Sequence, residues 1–300
     1  MMEIIKTKVG FCYGIIRVYH LINKRAIAYD DEQFCVAHQN SSGELDTLRR
    51  IEHRDEYLLK MYPGLKKVAV AHDIAKLSKG DRLVLGFHGV PNYTKEQLKG
   101  KGVILLDDLQ CPFIARLNHV SERLVAEGFD IIIVGKKQNY HCQEALKLAE
   151  KYQRRCFVVE KEEDVETITH DSTQRLALVG QVTGNTVTFD YVTKRLHEKG
   201  IPIRIEKTVC SDSYLRQGEA ISLAKESDVV VIVDDGGGAS QSVFEVCSAL
   251  SKRIHRICRK EEIRQEWFDD ACKVAIVGGI LVPQWSIDEV AEYIEKICAV

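Results

Sequence analysis

No charge of one sign dominates this chain. Its 42 Lys and Arg face 44 Asp and Glu, so it carries no electrostatic footprint of a nucleic-acid or anionic-membrane partner. Long apolar runs are missing too: the longest clean aliphatic stretch is "VVVIV" at 229–233, far short of the ~20 residues that cross a bilayer. "MMEIIKTKVG" has neither the uninterrupted apolar stretch nor the small-residue cleavage site of a secretory leader. The expected location is therefore cytoplasmic, where the ten cysteines stay reduced. There is no CxxC pair of the structural-zinc kind and no GxGxxG nucleotide fingerprint. These absences leave a small-molecule substrate as the expected partner, with no nucleic acid and no membrane.

What the chain does have is a threefold internal repeat. "EIIKTKVGFCYGIIRVYHLI", "GVILLDDLQCPFIARLNHVSERL" and "PIRIEKTVCSDSYLRQGEAISLA" share one plan: a strand-like run, a cysteine, then apolar residues at helical spacing. The cysteines are Cys12, Cys111 and Cys210, and both intervals are 99 residues. Further segments recur in order. "FCVAHQN", "DIIIVGKKQN" and "DVVVIVDDGGG" read as buried strands. "KVAVAHDIAKL", "RCFVVEKEEDVETI" and "RIHRICRKEEIRQEW" read as strands followed by polar helix starts. "RLVLGFHGVP", "RLALVGQVTG" and "KVAIVGGILVP" close each unit with a strand and a glycine turn.

Val-, Ile- and Leu-rich strands alternating with helices indicate mainly parallel sheets covered on both faces. The expected fold is α/β, with three similar modules at 1–101, 102–200 and 201–300 in a pseudo-threefold trefoil. Ligands of open α/β sheets bind beyond the carboxyl ends of the strands, which is where the three cysteines fall. A cysteine ahead of a helix lies at the positive end of the helix dipole, which favours its thiolate. Three thiolates could hold zinc, but structural zinc normally takes four ligands. A [4Fe-4S] cluster with one iron not ligated by cysteine is the better match.

At these residues the sequence resembles the LytB family of hydroxymethylbutenyl diphosphate reductases. "GFCYG" is similar to the family's GFCAGV, "FHGV" to its AHGV, "CP" at 111 to its ATCP, and Cys210 with "RQ" at 216 and 217 to its third cysteine segment. The resemblance implies a trefoil around a central [4Fe-4S] cluster, Cys12, Cys111 and Cys210 as its ligands, and reductive removal of a hydroxyl with loss of water. With no nucleotide fingerprint, the implied electron donor is a ferredoxin or flavodoxin.

His38 and His88 fall where two family histidines lie, and Gln181 matches the glutamine of TQTT. Elsewhere the pattern is broken. The family's GHxxHPE reads "GKKQNYH" here, which puts Asn139 at the second histidine and His141 at the proton-delivering glutamate. Val182 replaces a substrate-facing threonine, "GAS" at 238–240 replaces SSN, and Leu281 falls near a serine. Hydroxyl and amide donors to a diphosphate are thereby lost.

Sequence reasoning thus selects His38, His88 and His141 as catalytic residues, with His141 as proton donor. Gln181, Asn139, Lys136, Ser240 and Asp212 are expected to bind substrate. Lys136 and Lys137 are otherwise solvated surface charges, and Asp212 and Ser213 otherwise cap a helix. The remaining cysteines are expected in packing, with Cys142 nearest the site. The expected substrate is small, polar and not a diphosphate. A [4Fe-4S]-dependent desulfurase and a noncatalytic redox sensor are the alternatives, ahead of an ordinary diphosphate reductase.

Overall fold

The computed structural model describes residues 2–8, 10–28, 34–37, 48–85, 92–106, 110–171, 173–234, 240–250 and 253–299, with only the backbone of 34–37, 49 and 92–94. His38 and His88 lie outside the described residues, as do Gly236 to Gly238.

The first part of the chain contains β1 (Glu3–Lys6), α1 (Tyr13–Ala28), β2 (Phe34–Ala37), α2 (Leu48–Glu52), α3 (Glu56–Met61), β3 (Val68–Ala71), β4 (Arg82–Leu85), α4 (Asn92–Gly100) and β5 (Ile104–Leu106). Then come α5 (Pro112–Ala126), β6 (Asp130–Val134), α6 (Tyr140–Lys151), β7 (Cys156–Val159), β8 (Leu176–Gly180), α7 (Thr186–Glu198) and β9 (Ile203–Ile205). The last part holds α8 (Ser211–Lys225), β10 (Val229–Val233), α9 (Gln241–Ser248), β11 (Ile254–Ile257), β12 (Lys273–Gly278) and α10 (Gln284–Cys298). Two compact units result, one of Met1–Phe11 with Ala115–Val300 and one of Cys12–Ile114.

Among the described residues every strand pairing is parallel, and the strands form three four-stranded sheets with one order: β3-β2-β4-β5, β7-β6-β8-β9 and β11-β10-β12-β1. In each sheet the last strand named is the one that leads into a cysteine. It pairs with the closing strand of the preceding repeat, and β1 completes the sheet of the last one. Sheet and repeat are therefore offset by one strand. The polar segments expected to start helices after β3, β7 and β11 are short 3-10 turns at Ile74–Lys76, Glu162–Thr167 and Lys260–Glu262.

In the larger unit the central strands are buried on both faces, which is why they read as continuous aliphatic runs. Val229, Val231 and Val233 pack with Ile287, Val290 and Ile294 of α10. Val230 and Ile232 point the other way, into Ala220 and Ala224 of α8 and Val243 and Val246 of α9. In the β7-β6-β8-β9 sheet, Ile132, Val134, Leu176 and Leu178 meet Phe189, Val192 and Leu196 of α7. Burying each such side chain contributes about 1.5–3 kcal/mol, and these cores hold the loops at the carboxyl ends of the strands in place. In the smaller unit, Leu83 and Leu85 of β4 form a core with Leu98 and Val103. There the Asp55 carboxylate accepts from the Leu58 N–H at 3.0 Å and so caps α3.

Candidate active site

The register of β8 and β9 places Cys210. Beyond the strands the ladder continues: the Glu206 N–H donates to the Leu178 carbonyl (2.9 Å), and the Cys210 N–H donates to the Val182 carbonyl (2.9 Å). Between them the Thr208 hydroxyl accepts from the Gly180 N–H and donates to the Gly180 carbonyl, both at 2.8 Å. A Cβ at Gly180 would stand 2.4 Å from Val209 Cγ2, so the absent side chain permits this approach. The same device recurs at the end of β12, where the Gly278 N–H donates to the buried Thr7 hydroxyl at 3.2 Å.

Cys210 is the N-cap of α8, and its Sγ accepts from the Ser213 N–H at 3.3 Å, with the Ser213 hydroxyl at 3.1 Å. Burial pushes the Cys210 thiol up, and the two Ser213 bonds pull in the opposite direction. Cys12 is buried immediately ahead of α1, and its carbonyl accepts from the N–H groups of Ile15 (3.1 Å) and Ile16 (3.0 Å). Cys111 is buried immediately ahead of α5, whose first residue is Pro112. All three are reduced thiols. Cys210 belongs to the larger unit, Cys12 and Cys111 to the smaller. Among the described residues no group of three or more His, Cys, Asp or Glu side chains is gathered as a metal site. As a donor set, three buried thiols at helix N-termini fit a soft iron-sulfur group.

The loop after β8 is held by buried amide side chains of the larger unit. Gln181 is buried, its Oε1 accepts from the Lys136 N–H at 2.9 Å and its Nε2 donates to Thr183 Oγ1 at 3.3 Å. Buried Gln217 of α8 accepts on Oε1 from the N–H and hydroxyl of Thr186, both at 2.9 Å, and donates from Nε2 to the Gly184 carbonyl at 2.9 Å. Ser242 of α9 donates to the Thr183 carbonyl at 2.7 Å. These bonds frame a small cavity of about 20 Å³ lined by Gly135, Lys136, Gln181, Asn185, Ser242 and Glu245 among others, room for about one water.

Several expected substrate contacts are engaged within the protein. The Lys136 ammonium pairs with Glu245 at 2.6 Å, and Asp212 pairs with the buried guanidinium of Arg216. Asn139 caps α6, its Oδ1 accepting from the His141 N–H at 2.9 Å. His141 is buried in the first turn of that helix, its ring edge-on to Tyr140 at 6.0 Å. Ser240 is fully buried against Gly279, where an added Cβ would lie 1.9 Å from its Oγ. The Lys137 N–H donates to Glu160. Cys142 packs beneath Gly135, near Gln181.

The family model described as LytB protein matches residues 4–295. The chain belongs to the LytB family. That makes it an iron-sulfur oxidoreductase by class. Its relatives include the 4-hydroxy-3-methylbut-2-enyl diphosphate reductase of Aquifex aeolicus, 27% identical over 298 residues (98% of this chain, 96% of the relative). The enzyme of the same name from Geobacter metallireducens is 27% identical over 299 residues, 99% of this chain and 98% of the relative. The solved structure of the E-1-hydroxy-2-methyl-but-2-enyl-4-diphosphate reductase from Plasmodium falciparum shares the fold, with a TM-score of 0.78 at 16% identity, covering 98% of this chain and 88% of that one. A second structure, of an (E)-4-hydroxy-3-methyl-but-2-enyl diphosphate reductase, aligns at a TM-score of 0.58 and 24% identity, covering 99% and 100%.

Sequence reasoning about this LytB-family chain missed Asn185, Glu245 and the packing role of Gln217. Asn185 accepts from the N–H groups of Val187 and Thr188 at 3.0 and 3.1 Å and donates to Glu245 at 3.3 Å. An Asn before a helical run is an N-cap signal and was available for the first role. Nothing local in the sequence pairs Glu245 with Lys136, 109 residues away. No helix among the described residues is long and apolar enough to cross a membrane.

Proposed function

We propose that the chain is a cytoplasmic reductase in which Cys12, Cys111 and Cys210 hold a [4Fe-4S] cluster with one iron not ligated by cysteine, the three modules at 1–101, 102–200 and 201–300 each contributing one thiolate in a trefoil. The supporting observation is the coincidence of a family match over 4–295 with three buried thiols in the same place before three helices. When bound, such a cluster supplies electrons and a Lewis-acidic iron. The reaction is reductive dehydroxylation of a small polar substrate: the C–O bond breaks, water leaves, and two electrons from a ferredoxin or flavodoxin enter with two protons. His141 is the proton donor at the position of the family's glutamate, with His38 and His88 as further catalytic residues, and Gln181, Asn139, Lys136, Ser240 and Asp212 face the substrate.

The substrate carries no diphosphate. Lys136 is neutralised by Glu245, Arg216 by Asp212 and Arg256 by Asp234, and the carboxylates of Glu160 and Glu245 line the cavity beside Gln181. Replacing three donors by Val182, Ala239 and Leu281 costs about 1.5–3 kcal/mol each for a charged partner, more than about a thousandfold in affinity if the losses add.

The test is anaerobic purification with iron and sulfide quantitation, followed by turnover of hydroxymethylbutenyl diphosphate with dithionite-reduced methyl viologen. About four irons per chain and negligible turnover are expected. Tight zinc without sulfide would overturn the cluster, and robust turnover, or rescue of a strain depleted of its own reductase, would overturn the substrate reading.

A further inference from the structure

Two arginines stand in similar places and make similar bonds, each inside its own unit. Arg17 lies in α1, five residues after Cys12, and its Nη1 donates to the carbonyl of Gln110 at 3.2 Å. Gln110 immediately precedes Cys111. Arg216 lies in α8, six residues after Cys210, and its Nη2 donates to the carbonyl of Gly10, two residues before Cys12. The helix that begins at one cysteine thus reaches, through an arginine about one and a half turns along, the peptide that enters the next cysteine around the repeat.

Arg216 is held for this task. The residue is 2% exposed, its Nη1 donates to the Gly279 carbonyl at 3.3 Å, and its Nε donates to Asp212. A buried guanidinium left unpaired would be costly, and here every nitrogen is used, two of them on backbone carbonyls of two separate loops. On its other side the segment leading to Cys12 is tied to α10 by Lys6 with Asp288 at 2.6 Å, by Gln284 Nε2 to the Thr7 carbonyl at 3.3 Å, and by the edge-to-face rings of Phe11 and Trp285 at 5.4 Å. Arg216 supplies the link to the helix carrying Cys210.

We propose that Arg17 and Arg216 are positioning residues that fix the segments entering Cys111 and Cys12. Through them the helix after Cys12 sets the entry to Cys111, and the helix after Cys210 sets the entry to Cys12. A fixed planar fork suits the task better than an ammonium, because it bonds several fixed acceptors at once. This inference rests on the cluster reading above.

The test compares wild type with R17K, R17Q, R216K and R216Q, and with R253Q as control. Arg253 also bonds two carbonyls, of Trp267 (2.7 Å) and Asp269 (2.8 Å), in a segment that leads to none of Cys12, Cys111 and Cys210. One readout is the rate of iron release to a chelator after anaerobic reconstitution. Both Gln variants should release iron about tenfold faster or more, the Lys variants less so, and R253Q at the wild-type rate. The second readout is amide hydrogen exchange in the cluster-free protein: R17Q should accelerate exchange at 110 and 111 and leave 10–12 alone, and R216Q should do the reverse. Should R216Q fail to fold, R216K decides alone. Equal iron retention with unchanged exchange would overturn the proposal, and a wild type that takes up no iron and sulfide would overturn the functional reading and this inference with it.

Discussion

The N–H of Cys210 donates to the carbonyl of Val182 at 2.9 Å, so the third thiol is placed by continuing the β8–β9 register past the ends of both strands. The side chain of Val182 is the hydrophobic replacement in the family's TQTT segment, while its carbonyl is the anchor for the cysteine. A change of side chain at 182 therefore leaves the anchor of Cys210 in place, because that anchor is backbone.

That approach depends on Gly180. A methyl group there would meet Val209 at 2.4 Å and Phe189 at 3.0 Å, so G180A should lower stability by about 1–3 kcal/mol through overpacking. Denaturant unfolding of the cluster-free protein measures it, and a variant as stable as wild type would show that the segment before Cys210 has room to give.

Replacing Cys12, Cys111 or Cys210 by Ser should abolish a stable cluster, because the softness of the thiolate is what retains iron and sulfide. The same change at exposed Cys258 or half-buried Cys298 should leave iron content unaltered. Five equal losses would contradict the repeat-based assignment.

Gln217 satisfies the Thr186 N–H and the Gly184 carbonyl inside the protein. Q217L should strand both groups and destabilise the larger unit by about 2–6 kcal/mol, at about 1–3 kcal/mol per unsatisfied buried group. The expected observation is a lower midpoint in thermal unfolding.

Alkaline stability should fall through the buried thiols. Burial pushes Cys142 from 9.0 up to about 12 and Cys247 from 9.0 to about 11. Between those values the unfolded chain has released protons that the folded chain keeps, so the stabilisation present below pH 9 is lost as the pH rises toward the folded values. C142A and C247A should flatten this decline in urea titrations. At neutral pH, iodoacetamide should modify exposed Cys258 and Cys272 and spare Cys142 and Cys247; rapid labelling of the latter pair in the folded state would contradict their burial.

The α/β class, the parallel strands and the recurrence of cysteines at equal intervals were all legible in the sequence, since each is written in local composition and period. "VVVIV" and "DIIIV" are aliphatic throughout because both faces of those strands are covered, and that much needs no knowledge of the partner helices. The position of the thiols was legible for the same reason: a cysteine between a strand and a helix has its local environment set by its neighbours in the chain. What only the tertiary structure decided is which groups remain available for a ligand. The pairing of Lys136 with Glu245 and of Asp212 with Arg216 is visible only in the fold, and the sheet that β1 completes is the last one along the chain, from 229 to 278. Such partners are set by how strands order and helices stack, a matter of long-range packing and register that no local pattern encodes. The chain could therefore announce its three thiols, while the fold alone assigned Arg17 and Arg216 to the carbonyls that lead into two of them.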